Sequence, residues 1–213
     1  MPSNNRKPGL FITLEGIEGV GKTTHCEFLA QLFRDRGRLV RITREPGGTG
    51  AGEAIRNVLL LRRDLAGDGI VELLLVFAAR AQHLAEVVRP ALAAGETVIC
   101  DRFTDATYAY QGGGRGIPRE WIEWLERTVQ GELRPDLTVL FDAPVEVGMD
   151  RARARGDGNR FEGEDNAFFG RVRQAYLAIA KAEPARMRVV DANRPLPAIR
   201  DDLRALVASV VEK

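Results

Sequence analysis

The sequence predicts an α/β fold with three layers (α/β/α), in which a parallel β-sheet lies between two layers of helices. Three observations support this prediction. Short runs of β-branched and apolar residues alternate with longer segments of helical periodicity. The run at residues 97–101 does not alternate, so both of its faces are expected to be buried, as in the interior of a parallel sheet. A glycine-rich turn at residues 16–21 separates the first run from the first helical segment.

Five strands are predicted, and turn residues bound them. They lie at residues 10–14, 39–43, 97–101, 137–142 and 187–190. Helices are expected from residue 22 to Gly37, at residues 50–63, 69–94, 105–111 and 118–131, from near residue 144, and at residues 164–183 and 195–211. We expect one domain, residues 9–213, after a polar tail of residues 1–8. Ligands of such a sheet bind at the carboxyl ends of its strands.

Composition argues against a protein that binds nucleic acid, spans a membrane or is secreted. The 213 residues carry 31 Lys and Arg against 30 Asp and Glu, so no whole-protein positive field is available to hold a nucleic acid. The longest uncharged apolar stretch, residues 73–79, is too short to span a bilayer, and residues 1–8 lack the apolar core of a signal peptide. Cys26 and Cys100 fit reduced core thiols. These features predict a cytoplasmic protein that binds neither nucleic acid nor membrane.

The glycine-rich turn matches a phosphate-binding motif. Residues 16–23 are GIEGVGKT and fit G-x-x-x-x-G-K-[ST], between a predicted strand and a predicted helix, as this motif requires. Backbone N–H groups of the turn surround phosphate oxygens, Lys22 brings a full charge to the β- and γ-phosphates, and Thr23 offers a hydroxyl to Mg²⁺. We therefore predict an ATP site formed by Gly16, Ile17, Glu18, Gly19, Val20, Gly21, Lys22, Thr23 and Thr24.

Glu18 is unusual inside this turn, because a carboxylate repels the anion that the turn attracts. A hydroxyl donor on a second substrate would satisfy it, which suggests an acceptor with a free sugar hydroxyl. The alternative is an exposed Glu without a role.

Two charged residues, Asp101 and Arg102, close the buried third strand and are expected at the same sheet edge as the phosphate-binding turn. Asp101 would hold a water on Mg²⁺, and Arg102 would bind a phosphate monoester through two hydrogen bonds. Asp142, at the end of the fourth strand, is the alternative carboxylate on the metal side. We favour Asp101 because an arginine follows it, so the predicted metal-side residues are Thr23 and Asp101.

Phe77 and Arg80 lie three residues apart on one face of a predicted helix. A ring beside a guanidinium would receive a nucleobase by stacking and hydrogen bonding. The alternative places Phe77 in the core and Arg80 on the surface.

An arginine-rich segment, residues 151–160, has the sequence RARARGDGNR, with Arg151 and Arg155 in helical phase before a glycine-containing loop. A basic helix surface is the ordinary explanation of such a run. Because a kinase needs cations over the phosphoryl group in transfer, we favour a closing lid at about residues 151–163. A second glycine-rich patch, residues 112–116, is either a flexible loop or part of the substrate side.

Together these segments resemble the thymidylate kinase family of the bacterial type, among the P-loop nucleoside monophosphate kinases. The likeness runs from about residue 11 to residue 211. Its motifs are the phosphate-binding turn with Glu18, residues 43–49 (TREPGGT), 77–80 (FAAR), 101–103 (DRF) and 110–116 (YQGGGRG), and the arginine-rich segment. The resemblance implies a five-stranded parallel sheet with a lid, a homodimer, and Mg²⁺-dependent transfer of the γ-phosphate of ATP to dTMP, which yields dTDP.

The resemblance also implies roles for individual residues. The ring matching Phe77 stacks on thymine, the guanidinium matching Arg80 binds a base oxygen, and the residue matching Glu18 accepts the sugar 3′-hydroxyl. The dTMP side comprises Glu18, Arg44, Pro46, Phe77, Arg80, Arg102, Thr107, Tyr110 and Gln111. The ATP side gains Arg151 and Arg155, and the catalytic set is Lys22, Arg102, Arg155, Arg160 and Glu18. Some members carry a catalytic arginine where this chain has Gly19, so the positive charge is expected from the lid.

Two other functions remain open at this stage. The same chemistry could act on a deoxynucleoside or on another monophosphate. A nucleotide-dependent switch is the alternative from another class, although the sequence contains no N-K-x-D motif for guanine.

Overall fold

The computed structural model describes residues 9–62, 68–156 and 160–211 and contains the predicted five-stranded parallel sheet. The strands are β1 Leu10–Glu15, β2 Val40–Arg44, β3 Thr97–Asp101, β4 Leu137–Asp142 and β5 Met187–Asp191. Their order is β2-β3-β1-β4-β5, and every neighbouring pair is parallel. The predicted fold class is confirmed. The predicted tail, residues 1–8, and residues 157–159 of the predicted lid lie outside the described residues.

Helices connect the strands and flank the sheet. They are α1 Lys22–Arg34, α2 Gly50–Leu61, α3 Gly69–His83, α4 Arg89–Ala93, α5 Thr104–Thr107, α6 Arg119–Val129, α7 Val145–Arg155, α8 Asn166–Ala182 and α9 Leu196–Val211. A π-helical turn, Leu84–Val88, joins α3 to α4, and a second, Tyr108–Gly114, extends α5. A 3₁₀ turn, Arg160–Gly163, precedes α8. The helix predicted at residues 69–94 is thus observed as α3, a π-helical turn and α4.

Side-chain caps begin three of these helices. The Thr49 hydroxyl accepts a hydrogen bond from Gly52 N at 2.9 Å and caps α2. The carboxylates of Asp68 and Asp165 cap α3 and α8 in the same way. Because α2 is capped at Thr49, it begins directly after the turn of residues 46–48 that closes β2.

The register of the sheet brings several predicted functional residues to one edge. Asp101, at the end of β3, pairs with Leu14 of β1 on one side and with Arg44 of β2 on the other. Asp142, at the end of β4, pairs with Asp191 of β5. The phosphate-binding turn follows β1, which lies between β3 and β4. Asp101 and Arg44 therefore share one side of this turn, and Asp142 ends on the other side.

The second glycine-rich patch is helical over residues 112–114, which belong to the π-helical turn after α5. A Cβ added to Gly113 would lie 2.6 Å from the Cβ of Ala175, and one added to Gly114 would lie 2.6 Å from the Phe168 ring. Both neighbours belong to α8. These glycines allow the turn to pack closely against α8, a role that neither sequence alternative included.

The core lies between the sheet and its helices. Its largest cluster joins Leu14 of β1 to Phe33 of α1 and to Phe169 of α8. Cys26 and Cys100 are buried free thiols, as predicted. None of the helices in the described part of the chain combines the length and the apolar character that crossing a membrane requires.

Candidate active site

A cavity of about 810 Å³ opens where β1, β2 and β3 end. The phosphate-binding turn, α2, α3 and the helical segment after β3 complete its wall. The predicted residues at this wall are Glu18, Gly19, Gly21, Lys22, Thr23, Arg44, Pro46, Arg80, Asp101, Arg102, Thr107, Tyr110 and Gln111. The structure therefore brings predicted donor and acceptor residues to one cavity.

The backbone of the phosphate-binding turn requires its glycines. The backbone φ angles of Gly16, Gly19 and Gly21 are 136°, 72° and 88°. Residues with a Cβ rarely adopt such positive values. A Cβ on Gly19 would lie 1.8 Å from the carbonyl oxygen of Gly148 in α7. An arginine at position 19 could therefore not be accommodated without a shift of α7.

Lys22, the first residue of α1, extends into the turn. Its Nζ donates to the carbonyl oxygens of Gly16 at 3.1 Å and Ile17 at 2.8 Å. Burial, followed by the neighbouring Arg102, lowers the pKa of Lys22 to about 8. A phosphate in the turn would favour the charged amine, so the electrostatics of the site suit an anionic ligand.

Two oxygen-bearing side chains meet beside the turn. The Thr23 hydroxyl donates to Asp101 Oδ2 at 3.1 Å. The rival carboxylate, Asp142, accepts two hydrogen bonds from Arg173 at 2.7 and 2.8 Å, so its charge is already neutralised. Hydroxyl and carboxylate oxygens are the ligands that Mg²⁺ prefers. The donor set of Thr23 and Asp101 therefore fits this ion.

Arg102 neutralises the unusual carboxylate of the turn. Its Nη2 donates to Glu18 Oε1 at 2.9 Å and to the Tyr110 hydroxyl at 3.0 Å, and its Nη1 donates to the carbonyl oxygen of Gly16 at 2.8 Å. The backbone of Arg102 has a φ of 71°, in the left-handed region. Arg102 thus offsets the repulsion that Glu18 would exert on a phosphate.

Arg80 is the centre of a buried network of polar side chains. Its Nε donates to Glu45 Oε2 at 2.7 Å and its Nη2 to the Thr107 hydroxyl at 3.0 Å. Glu45 Oε1 lies 2.8 Å from His83 Nδ1, whose ring also contacts the Thr43 hydroxyl at 2.7 Å. Arg80 Nη1 is buried and has no hydrogen-bond partner among the described residues. One guanidinium donor of a side chain that lines the cavity is therefore left without a protein partner in the described part of the chain.

Phe77 does not belong to the cavity wall. It lies in a core cluster with Leu73 and Ile122. The Arg80 Cζ lies over its ring, 4.7 Å from the ring centroid. Val76, one position earlier and four residues before Arg80, lies at the wall instead. The placement of Phe77 does not support stacking of a base on its ring, because α3 turns this side chain toward α6.

Arg56 is a functional candidate that sequence reasoning missed. It lies at the cavity wall, where its Nη1 donates to the carbonyl oxygen of Pro46 at 3.0 Å. Burial, followed by the neighbouring Arg44, lowers its pKa. Arg44 itself is half exposed and pairs with Glu53 at 2.8 Å. The sequence feature that could have identified Arg56 is its spacing from Glu53. The two residues are three positions apart and share one face of α2, directly after the turn of residues 46–48.

The arginine-rich segment divides into two environments. Arg151 Nη1 donates to the carbonyl oxygen of Ala192 at 2.9 Å, in the turn after β5. Arg160 is buried away from the cavity wall, and its Nη1 donates to Glu72 Oε1 at 2.8 Å. Glu72 is fully buried and attracts this cation, so the structure places Arg160 in an ion pair rather than over the turn. The Arg155 side chain lies outside the described part of the structure.

The chain is similar to known proteins over most of its length. A family model for thymidylate kinase matches residues 14–203. The chain is similar to the thymidylate kinase of Pseudomonas savastanoi pv. phaseolicola, with 60% identity over 204 residues that cover 96% of this chain and 97% of that protein. It is 58% identical to the thymidylate kinase of one Pseudomonas putida strain, over 96% of this chain and 99% of that protein.

The fold also matches a solved structure. The crystal structure of thymidylate kinase from Ehrlichia chaffeensis superposes with a TM-score of 0.73 at 33% identity, over 96% of this chain and 99% of that chain. The similarity in sequence and in fold therefore extends over nearly the full length of each relative. On these grounds, the chain belongs to the thymidylate kinase family.

Proposed function

We propose that this cavity transfers the γ-phosphate of ATP to the phosphate of dTMP. As a member of its family, the chain is a nucleoside monophosphate kinase that phosphorylates dTMP. A phosphate oxygen of dTMP bonds to the γ-phosphorus while the bond from that phosphorus to ADP breaks, so the products are dTDP and ADP. The observation that carries the proposal is one cavity that joins the phosphate-binding turn to the buried guanidinium of Arg80.

On the donor side, backbone N–H groups of residues 16–23 bind the β- and γ-phosphates. Lys22 exchanges its two carbonyl partners for phosphate oxygens. Thr23 and Asp101 are the residues that would hold Mg²⁺, as their contact at 3.1 Å supports. When bound, this ion would offset the negative charge that develops on the phosphates during transfer.

On the acceptor side, Arg80 selects the base. A buried donor without a partner costs roughly 1–3 kcal/mol, and a carbonyl oxygen of thymine would remove this cost at Arg80 Nη1. Cytosine carries an amino group where thymine carries its 4-carbonyl, so two donors would face each other. Val76 and Phe103 lie at the cavity wall and supply its apolar side, in place of Phe77.

Arginines from three elements surround the acceptor phosphate in this proposal. Arg102, Arg44 and Arg56 all lie at the cavity wall, and their mutual repulsion contributes to the lowered pKa of Arg56. A dianionic monoester would offset this repulsion. Glu18, next to Arg102, then accepts the sugar hydroxyl.

We also propose a homodimer of single-domain, cytoplasmic subunits. Exposed apolar side chains recur on three helices, with α3 packed against α2 and α6. These residues are Val58 and Leu61 of α2, Ile70 and Leu74 of α3, and Trp121 and Trp124 of α6. Trp124 is 60% exposed, and a second copy would cover such a face. Sedimentation equilibrium at micromolar concentration checks the expected mass of two chains.

The acceptor assignment is tested by initial rates of ADP release at constant Mg²⁺ and ATP with dTMP, dCMP, AMP and GMP. We expect kcat/KM for dTMP to exceed the other three values at least tenfold. A preference for dCMP, AMP or GMP would contradict the assigned acceptor. Tight ATP binding without acceptor-stimulated ADP release would contradict a kinase.

A further inference from the structure

Glu15 is a buried carboxyl group next to the reaction site, and it has no role in the function proposed above. It is the last residue of β1, directly before the phosphate-binding turn, and it is fully buried. Both of its oxygens accept hydrogen bonds. Oε1 accepts from Phe103 N at 2.7 Å, and Oε2 accepts from the Tyr176 hydroxyl at 2.8 Å.

Tyr176 links this carboxyl group to Arg102. It comes from α8, is 1% exposed, and accepts a hydrogen bond from Arg102 Nη1 at 3.2 Å. A phenol has one hydrogen to donate and a lone pair to accept, and Tyr176 uses both. A continuous chain of hydrogen bonds therefore runs from Glu15 through Tyr176 to the guanidinium of Arg102.

Glu15 also holds the backbone on either side of Arg102. The left-handed φ of 71° at Arg102 is strained for a residue with a Cβ, so neighbouring contacts must maintain it. Arg102 N donates to the carbonyl oxygen of Leu14 at 2.9 Å, and the next amide, Phe103 N, donates to Glu15. The end of β1 thus restrains the peptide groups before and after the arginine.

Burial makes the charged form of the Glu15 carboxyl group energetically unfavourable. Burial, followed by the nearby Asp105, raises its pKa to about 8. Within the described residues, no Lys or Arg nitrogen lies within ion-pair distance of the Glu15 carboxyl group. Glu72 is equally buried, but it forms ion pairs with Arg115 and Arg160. Glu72 stabilises two cations directly, while the bonds of Glu15 lead to the backbone and side chain of Arg102.

We propose that Glu15 and Tyr176 are positioning residues that orient the guanidinium of Arg102 toward the acceptor phosphate. The inference rests on the proposed function in one respect, namely that Arg102 contacts this phosphate. It adds two residues that touch neither substrate and that act through Arg102.

The test compares two ligands that differ only by the phosphate. Calorimetry measures the Kd of dTMP and of thymidine for the full chain and for Tyr176→Phe. Because the lost bond is to a charged group, we expect dTMP to bind about tenfold more weakly and thymidine to bind within twofold of the starting chain. Tyr108→Phe is the matched control, since its hydroxyl donates to Glu126 outside the cavity wall, and both affinities should stay within twofold.

A second variant and a double variant separate positioning from a general structural role. Glu15→Leu, which removes both acceptor oxygens, should show the same loss for dTMP alone. In an Arg102→Ala background, Tyr176→Phe should cause no further change in dTMP affinity. Equal losses for dTMP and thymidine, an unchanged dTMP affinity in Tyr176→Phe, or an undiminished effect in the double variant would each overturn the inference. If Arg102→Ala alone leaves the ratio of the two affinities unchanged, the assigned role of Arg102 fails instead.

Discussion

The donor and acceptor sides of the cavity are built differently. On the proposed donor side, most of the groups expected to bind the ligand are backbone amides, and glycines with positive φ set their positions. On the acceptor side, they are side chains held by other side chains. Arg80 is bound by Glu45 and Thr107, Glu45 is bound by His83, and each of these four residues is at most 4% exposed.

The two sides are therefore coupled to folding in different ways. The donor turn owes its shape mainly to glycines with positive φ, so a change at its lysine removes a charge and two hydrogen bonds to the turn, and we expect the fold to remain. The acceptor network consists of buried charges that neutralise one another, so a change in one member leaves its partner uncompensated. Function and stability should separate on the donor side and fall together on the acceptor side.

The largest expected effect is on the donor side. Lys22→Ala removes the only full charge that α1 contributes to the phosphates, so kcat should fall about 10³-fold, while dTMP affinity and the melting temperature change little. Steady-state kinetics, calorimetry and thermal denaturation provide the three readouts. Lys181→Ala, at an exposed position of α8, is the matched control and should leave kcat unchanged. A kcat loss in Lys22→Ala that is matched by unfolding would contradict the separation of function from stability on the donor side.

An acceptor-side change should affect stability and binding together. Glu45→Gln leaves the buried Arg80 guanidinium without a carboxylate, and we expect a loss of about 3 kcal/mol in the free energy of unfolding together with a higher KM for dTMP. Chemical denaturation and initial rates measure the two effects. Glu53→Gln removes an ion pair in which both side chains are at least 40% exposed, and it should change the free energy of unfolding by about 1 kcal/mol or less. Similar losses in both variants would remove the distinction between the two sides.

The smallest expected effect concerns the pH dependence of ATP binding. The pKa of Lys22 is lowered to about 8, so the amine is charged below this pH and becomes neutral as the pH rises through it. ATP affinity of the free enzyme should therefore decrease above pH 8, by up to about tenfold near pH 9, because the neutral amine no longer attracts the phosphates. Lys22→Arg keeps its charge across this range and should remove the dependence. Parallel profiles for the two proteins would assign the titration to another group.

Much of the donor side could be predicted from the sequence, because the residues that form the turn are adjacent in the chain. The strand ends were predictable for a related reason, since parallel strands place their carboxyl ends at one edge, which brought Asp101 and Arg102 to the turn. The choice of Asp101 over Asp142 gained support only from the structure, where Arg173 binds Asp142.

The acceptor wall depends on the rotation of α3, which the sequence did not define closely enough. Val76 and Phe77 are separated by about 100° around a helix axis, so one reaches the cavity and the other packs against Ile122. The residues alone left core packing of Phe77 open, and the resemblance to the family implied stacking of the base on its ring. In the structure Phe77 packs against α6, as the core alternative expected, and stacking of a base on its ring stays a prediction.

The α/β class, the five parallel strands and the phosphate-binding turn could be predicted without a structure, because each depends on residues close together in the chain. Tertiary structure alone decided that Arg160 pairs with Glu72, that Arg80 is held by Glu45, and that Tyr176 reaches Arg102. These pairs join residues 88, 35 and 74 positions apart. The two residues of each pair come into contact only because packed helices and strands fix the relative orientation of distant segments.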